Sequence, residues 1–357
     1  MEFLTDFLDK LPTMFQDFYD PKKRVFVGYL FLSLLIALVW LVLVRRTRLA
    51  EAWRTFFDRN VFFSPSAQAD YKIFVINRLF SFLISPLLVT QLIIGTAIYF
   101  WLHGIDFLHV GYFRATDPAV IVALFTATMF VVDDLTKYLV HRWMHKWPIL
   151  WAIHKTHHSA ETLTPVTVYR IHPLEGVLYG LRGTVAQGTV IAVFFYLFGN
   201  AVTLYTVLGA NILVFVFHIT GSNLRHSHIN ISYWPWLERV LISPAQHQLH
   251  HSVAEEHYDK NFGAALAVWD WLFGSLHLSE PERELTYGLD PSEKSEPVRL
   301  WDIYTGPVVE IWQISVRTVF GVVGRVLSIF RVKRLDPINA APNGSPEPTP
   351  QASTQKF

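Results

Sequence analysis

Three short stretches concentrate groups able to ligate a transition metal: His141-Arg-Trp-Met-His145, His154-Lys-Thr-His157-His158 and His247-Gln-Leu-His250-His251. Residues three and four apart share one face of a helix, so each stretch aims its imidazoles in one direction. Neutral imidazole is a ligand for Fe, Zn, Cu and Ni. Eight histidines exceed what a single ion can use, so two metals are the natural reading. With 16 histidines in 357 residues, an H-x-x-H-H string is expected by chance on the order of 0.03 times. It occurs twice, so chance surface or core histidines explain the pattern poorly.

Further candidates surround these clusters. His218 ends the apolar run Val214-Phe215-Val216-Phe217, where an unpaired imidazole is costly, and is a ninth ligand candidate. His172, His226, His228 and His257 are possible additional ligands, supporting groups or interfacial residues. His103, His109 and His277 read as structural. Asp134 stands seven residues before His141, on the same helical face two turns back. A carboxylate there is placed to accept the far N–H of a ligating histidine and fix its tautomer, or to be a charge at a helix end. Asp133 points elsewhere.

The elements that must hold these residues are membrane helices. Hydrophobic residues make up 52% of the chain and charged residues 17%, well under the roughly 25% charged of soluble domains. Val25 to Val44 carries no charge, and twenty residues at about 1.5 Å each cross a bilayer core of roughly 30 Å. Residues 1–24 and this long run do not read as a cleavable signal. Arg45, Arg46, Arg48, Arg54 and Arg59 follow the run, which places that end in the cytoplasm. Further spans are expected over Leu79–Leu102 with a kink at Pro86, from Asp117-Pro118 to about Val140, over Val177–Phe198, and over Ala201 to about Phe217. Gly199-Asn200 is a turn between the last two. Counting crossings from Arg45 puts all three histidine stretches on the cytoplasmic side.

The fold class expected is therefore an all-α integral membrane protein, with about five transmembrane helices and a cytoplasmic helical cap holding a histidine-rich di-metal site. Residues 1–118 form an N-terminal segment with two spans, and residues 119–277 the catalytic domain. Residues 278–340 include an amphipathic interfacial helix, with Glu310, Gln313, Arg317, Arg325, Ser328 and Arg331 along one stripe. Residues 341–357 form a tail rich in Pro, Ser and Thr that is expected to be disordered. The net charge of +1 gives no reason to expect a nucleic-acid partner. The absence of cysteine excludes disulfides, thiolate ligands and cysteine nucleophiles.

These motifs resemble the fatty acid hydroxylase/sterol desaturase family of membrane histidine-box enzymes. The matching text is Asp134-x-x-x-Tyr138-x-x-His141-Arg-Trp-Met-His145, His154-Lys-Thr-His157-His158-Ser159, Arg170-Ile-His172-Pro-Leu-Glu175, Phe217-His218, Ser243-Pro-Ala-Gln-His247-Gln-Leu-His250-His251, Asp259-Lys-Asn-Phe-Gly263 and Trp269-Asp-Trp-Leu-Phe-Gly274. The resemblance implies two irons and consumption of O2 with two electrons, to hydroxylate or desaturate an unactivated C–H bond of a lipid in the bilayer. It carries over His141, His145, His154, His157, His158, His247, His250 and His251 as ligands, with His218 beside them. His226-Ser-His228 is not a general feature of the family. The chain has no haem-binding cytochrome b5 motif, no G-x-G-x-x-G and no ferredoxin cysteines. Electrons are therefore expected from an external donor that is cytochrome b5-like, ferredoxin-like or a small reductant.

Other classes fit less well. A membrane zinc hydrolase needs a glutamate base, as in H-E-x-x-H, and this sequence has no such motif. Its histidines also outnumber the three protein ligands of a catalytic zinc. A metal transporter binds near the bilayer midplane, whereas these clusters lie outside the expected spans. A non-catalytic metalloprotein is separated from an enzyme by metal analysis together with a turnover assay.

Overall fold

The computed structural model describes residues 18–21, 23–84, 89–105, 109–202, 211–220, 222–280, 283–290 and 299–332. Among them the secondary structure is helical, and β pairing is confined to two isolated bridges, Leu241 with Leu266 and Ser252 with Tyr287. The helices are α1 (Val27–Val39), α2 (Leu49–Phe56), α3 (Arg59–Phe62), α4 (Pro65–Ile84), α5 (Gln91–His103), α6 (Pro118–Lys146), α7 (Pro148–His158), α8 (Pro173–Phe198), α9 (Asn211–Ile219), α10 (Pro244–His250), α11 (Val268–Leu272) and α12 (Leu300–Val332). A π-helical turn, Trp40–Val44, extends α1.

Three segments are long and apolar enough to cross a membrane: Val27–Val44, Pro118–Lys146 and Pro173–Ala201. The first matches the expected span Val25–Val44, and it leaves Phe31, Leu35, Val39 and Leu43 exposed, as a lipid-facing helix would. The expected span Leu79–Leu102 is not one continuous helix. It divides into the end of α4 and the shorter apolar helix α5, because Thr90 is extended and its side chain accepts from Ile93 N (3.3 Å) as the cap of a new helix. Pro86, residues 203–210 of the expected fifth span, and the tail 341–357 lie outside the described residues. Gly199 takes a positive φ of 54° at the end of α8, which fits the turn read at Gly199-Asn200.

Asp117 caps α6 by accepting from Ala119 N (2.8 Å), with Pro118 at the first helical position. The 29 residues of α6 run about 44 Å, longer than a bilayer core of roughly 30 Å. Its last turns, which carry His141 and His145, therefore extend past a span that starts at Pro118. Ile121 and Phe125 of α6 pack with Val190, Phe194 and Phe198 of α8 and with Val202. A second cluster joins Ala37 and Leu41 of the first membrane segment and Ala52 of α2 to Leu224, Ile229 and Ile231. Trp40 Nε1 donates to Asn230 O (3.1 Å), and Asn223 Nδ2 donates to Arg24 O (2.9 Å). The N-terminal membrane segment thus braces the loop that carries His226.

The residues up to Ile311 form one compact unit, and those from Trp312 a second. In the first, α12 contributes Tyr304 and Glu310: Tyr304 Oη bonds Asn77 Oδ1 (3.3 Å), and Lys155 pairs with Glu310. In the second, the later turns of α12 leave Trp312, Phe320 and Leu327 exposed. The helix begins at Leu300, ten residues before the stripe read from Glu310.

Helices α5 and α8 meet through glycines. A Cβ on Gly188 would lie 3.1 Å from Gln91 O and 3.2 Å from Gly95 N. Gly188→Leu is expected to destabilise the protein by about 1–3 kcal/mol through overpacking, read as a lowered thermal unfolding midpoint in detergent. An unchanged midpoint would show that the close approach is not needed.

Candidate metal centre

The histidine stretches fold onto one another, although 110 positions separate His141 from His251. Helix α6 presents His141 and His145 one turn apart; α7 presents His154, His157 and His158; α10 presents His247 and His250, with His251 at its C-cap. Two groups result. His141, His145, His154, His158 and His250 bring one ring nitrogen each within 4.8 Å of one another, and so do His157, His226, His247 and His251. The groups adjoin, with the rings of His158 and His251 stacked at 4.6 Å.

The tautomers decide what these rings can do. His141 Nδ1 lies 2.8 Å from Phe262 O, and His250 Nδ1 lies 2.7 Å from Lys260 O. A carbonyl only accepts, so both protons sit on Nδ1 and both Nε2 atoms carry bare lone pairs. Those two Nε2 atoms face each other at 3.0 Å. Neither can donate to the other, and a cation between them turns the repulsion into two bonds. His154 Nδ1 is 2.9 Å from Glu175 Oε1, and its Nε2 is buried without a hydrogen-bond partner, as are the Nε2 atoms of His145 and His158. In the second group His226 Nε2 lies 3.0 Å from His247 Nε2 and 3.2 Å from His157 Nε2, while His251 Nε2 lies 3.3 Å from His247 Nε2. Burial holds His157 down to about 3, with the neighbouring His141 as the next cause. His154, His158, His226, His247, His250 and His251 are likewise held well below the usual imidazole range, first by burial and then by an adjacent histidine. All are neutral at pH 7, the form that ligates. The residues therefore fit two transition-metal ions, one in each group.

Oriented backbone holds this arrangement. Asp259 and Asn261 adopt left-handed φ of 60° and 55°, so the loop zigzags and points the Lys260 and Phe262 carbonyls at His250 and His141. Asn261 Nδ2 donates to Gln246 O (3.1 Å). Asp270 accepts from Phe262 N (2.8 Å), Gly263 N (2.7 Å) and Ser275 Oγ (2.6 Å). Ser243 and Gln246 form a reciprocal capping box at the start of α10. Gln248 Nε2 donates to Ser227 O and Ile229 O, both at 2.9 Å, and so ties α10 to the loop bearing His226. Arg170 donates to Thr156 O (3.2 Å) and Ser159 O (3.2 Å) while pairing with buried Asp70 (2.8 Å). A cation is thereby placed on the C-terminus of α7.

Several expectations change. Asp134 does not reach a histidine. Its carboxylate accepts from Ala265 N (2.8 Å), Leu266 N (3.0 Å) and Trp269 Nε1 (2.9 Å), because the loop after Phe262 passes over that face of α6. His218 stands outside both groups, with Nδ1 against Ser222 Oγ (3.0 Å), and His226 takes the ninth position. His172 caps α8 and bonds Tyr304 O (3.1 Å), and His228 bonds Thr55 O (2.7 Å). Asp133 pairs with Lys137 (2.6 Å) and Arg182 (3.0 Å). The carboxylate that does orient a histidine is Glu175. Its signal in the sequence was an acidic residue in the first turn of an apolar helix.

Two substitutions test the support. Glu175→Gln keeps an acceptor for His154 but removes the carboxyl group, and is expected to weaken metal retention about 10–100-fold in chelator competition. Unchanged retention would leave Glu175 a space-filling role. A Cβ on Gly263 would lie 2.6 Å from Leu266 O and 2.8 Å from Asp270 Oδ2, so Gly263→Ala is expected to lower both thermal stability and metal content. A variant with wild-type values of both would show that the loop yields without disturbing the histidines.

A family model described as fatty acid hydroxylase matches residues 126–275. Similar curated proteins include a Delta(7)-sterol 5(6)-desaturase of Eremothecium gossypii, 29% identical over 185 residues, covering 52% of this chain and 46% of that protein. The alkylglycerol monooxygenase of Homo sapiens is 27% identical over 173 residues, covering 48% and 34%. The ornithine lipid hydroxylase OlsE of Rhizobium tropici is 26% identical over 147 residues, covering 41% and 40%. The chain thus spans less than half the length of these relatives. No solved structure matches. Residues 126–275, the part of the chain that matches the fatty acid hydroxylase model, carry all nine convergent histidines.

Proposed function

We propose that this protein is a membrane-bound, O2-dependent di-iron oxidoreductase that hydroxylates or desaturates a C–H bond of a lipid. The observation that carries the metal reading is the pair of bare Nε2 lone pairs on His141 and His250, 3.0 Å apart, with both protons committed to backbone carbonyls. The reading of a lipid C–H reaction rests on relatives named for sterol desaturation, alkylglycerol monooxygenation and ornithine lipid hydroxylation. His141, His145, His154, His158 and His250 would hold one iron, and His157, His226, His247 and His251 the other.

Bound iron would supply the activation of O2 that an unactivated C–H bond requires. In hydroxylation the balance is RH + O2 + two electrons + two protons to ROH + H2O. In desaturation the same inputs leave an alkene and two waters. The chain's part is to position and to exclude. All-nitrogen ligation by neutral imidazoles, tautomers fixed from behind by Phe262 O, Lys260 O and Glu175, keeps the donor set from rearranging. A cavity of about 330 Å³ opens against His145, His158 and His250, walled by Trp151, Val253, Tyr258 and Leu289 and by the carboxylates of Asp259 and Asp290. It gives the first group access for a substrate chain. The two electrons would come from an external donor that is cytochrome b5-like, ferredoxin-like or a small reductant. The topology proposed has about five spans with the cap in the cytoplasm, resting on Arg45, Arg46, Arg48, Arg54 and Arg59 beyond the first membrane segment.

Lipid extracts from cells with and without the gene are expected to differ by a gain of about 16 or a loss of about 2 mass units in one lipid class. His145→Ala, His157→Ala and His250→Ala are each expected to abolish that product and lower iron per chain, with non-additive losses. Full iron and product in His250→Ala would overturn the reading. Reporters fused after residue 60 and near residue 275 are both expected to read cytoplasmic, and opposite readings would remove the topology.

A further inference from the structure

A third group of ligating atoms lies outside the two described above. His257, His277 and Glu280 bring one donor atom each within 4.8 Å of one another. His257 sits in the 3-10 turn Glu255–His257, is 1% exposed, and neither of its ring nitrogens has a hydrogen-bond partner. Its Nε2 lies 3.6 Å from Glu280 Oε1, and His277 Nε2 lies 3.6 Å from the same oxygen. These separations are beyond hydrogen-bond range. They are close to the roughly 3.4 Å between ligand atoms placed tetrahedrally around zinc.

The far side of each partner is already committed. His277 Nδ1 lies 2.8 Å from Leu278 O, which puts the proton there and leaves Nε2 as a lone pair. Arg283 Nη1 donates to Glu280 Oε2 at 3.0 Å, which takes the other carboxylate oxygen and turns Oε1 toward the two rings. An imidazole lone pair and a carboxylate oxygen cannot satisfy one another; a cation satisfies both. We propose that His257, His277 and Glu280 bind a single divalent transition-metal ion, zinc by the donor set. Two imidazoles and one carboxylate are a common zinc set. The partly exposed side chains of His277 and Glu280 leave the fourth position to water, so the ion exchanges with solvent.

The placement gives the ion a task. His257 and His277 bracket the segment 258–276, which contains the Lys260 and Phe262 carbonyls and the carboxylate of Asp270. His277 is itself tied to that loop, since its N–H donates to Asn261 Oδ1 (2.8 Å), and to α10, since its carbonyl accepts from Gln246 Nε2 (3.1 Å). The third ion is a clasp that closes the base of the loop orienting His141 and His250.

The test uses the full-length protein in detergent, stripped with chelator and titrated with Zn2+ and with Co2+, with metal counted by mass spectrometry. Wild type is expected to saturate at three ions per chain. Glu280→Gln, which keeps an acceptor for Arg283, and His257→Ala are each expected to saturate at two. His250→Ala is expected to keep the third site, so a failure of the histidine-box reading is seen separately. The third Co2+ is expected to give tetrahedral d–d absorption that Glu280→Gln lacks. Equal saturation of the wild type and Glu280→Gln, with unchanged spectra, would overturn the proposal.

Discussion

The structure is organised around the cost of placing unshared electron pairs against each other in a buried space. Nine neutral imidazoles converge, and where hydrogen-bond partners can be traced their protons lie on the outward nitrogens. Left uncompensated, such a cluster would push itself apart. Cations bound there would relieve that repulsion, and the free energy of binding them would then be part of the free energy of folding this region. The helices that deliver the histidines have to be stiff and well anchored for the same reason.

That stiffness comes from two sources. Membrane-length helices supply the base, since α6 and α8 pack through Ile121, Phe125, Val190 and Phe194 and leave the histidine-bearing turns of α6 past the bilayer length. Backbone carbonyls and caps supply the rest. The left-handed residues Asp259 and Asn261, the capping box of Ser243 and Gln246, and Gln248 reaching two carbonyls of the 224–229 loop each fix a main-chain segment. Non-glycine residues with positive φ are uncommon and persist where surrounding contacts over-determine them. Here they are held in the loop that sets two tautomers.

Around the two histidine groups, carboxylates stand behind the rings rather than among them. Asp134 and Asp270 between them accept from four backbone N–H groups, the Trp269 indole and the Ser275 hydroxyl, and Glu175 touches the rear of His154. Ions held by these two groups would meet imidazole nitrogens, and the net charge of the centre would be left to the ions themselves.

The sequence by itself determined the parts that repeat locally. Spacings of three and four place His141 with His145, His154 with His157 and His158, and His247 with His250 on shared helical faces whatever the rest of the chain does. An uncharged run marks the first membrane segment for the same reason, since hydrophobic length is a local property. Tertiary structure decided which isolated residues join. His218 ends an apolar run and His226 stands in a polar loop, yet it is His226 that is drawn in, because Gln248 and the packing of Leu224, Ile229 and Ile231 against the first membrane segment fix its loop. Asp134 had the right helical phase for a histidine, but a loop more than 130 positions away reaches it first. Helical periodicity says which way a side chain faces; which group arrives to meet it depends on long-range packing, to which no local spacing is sensitive.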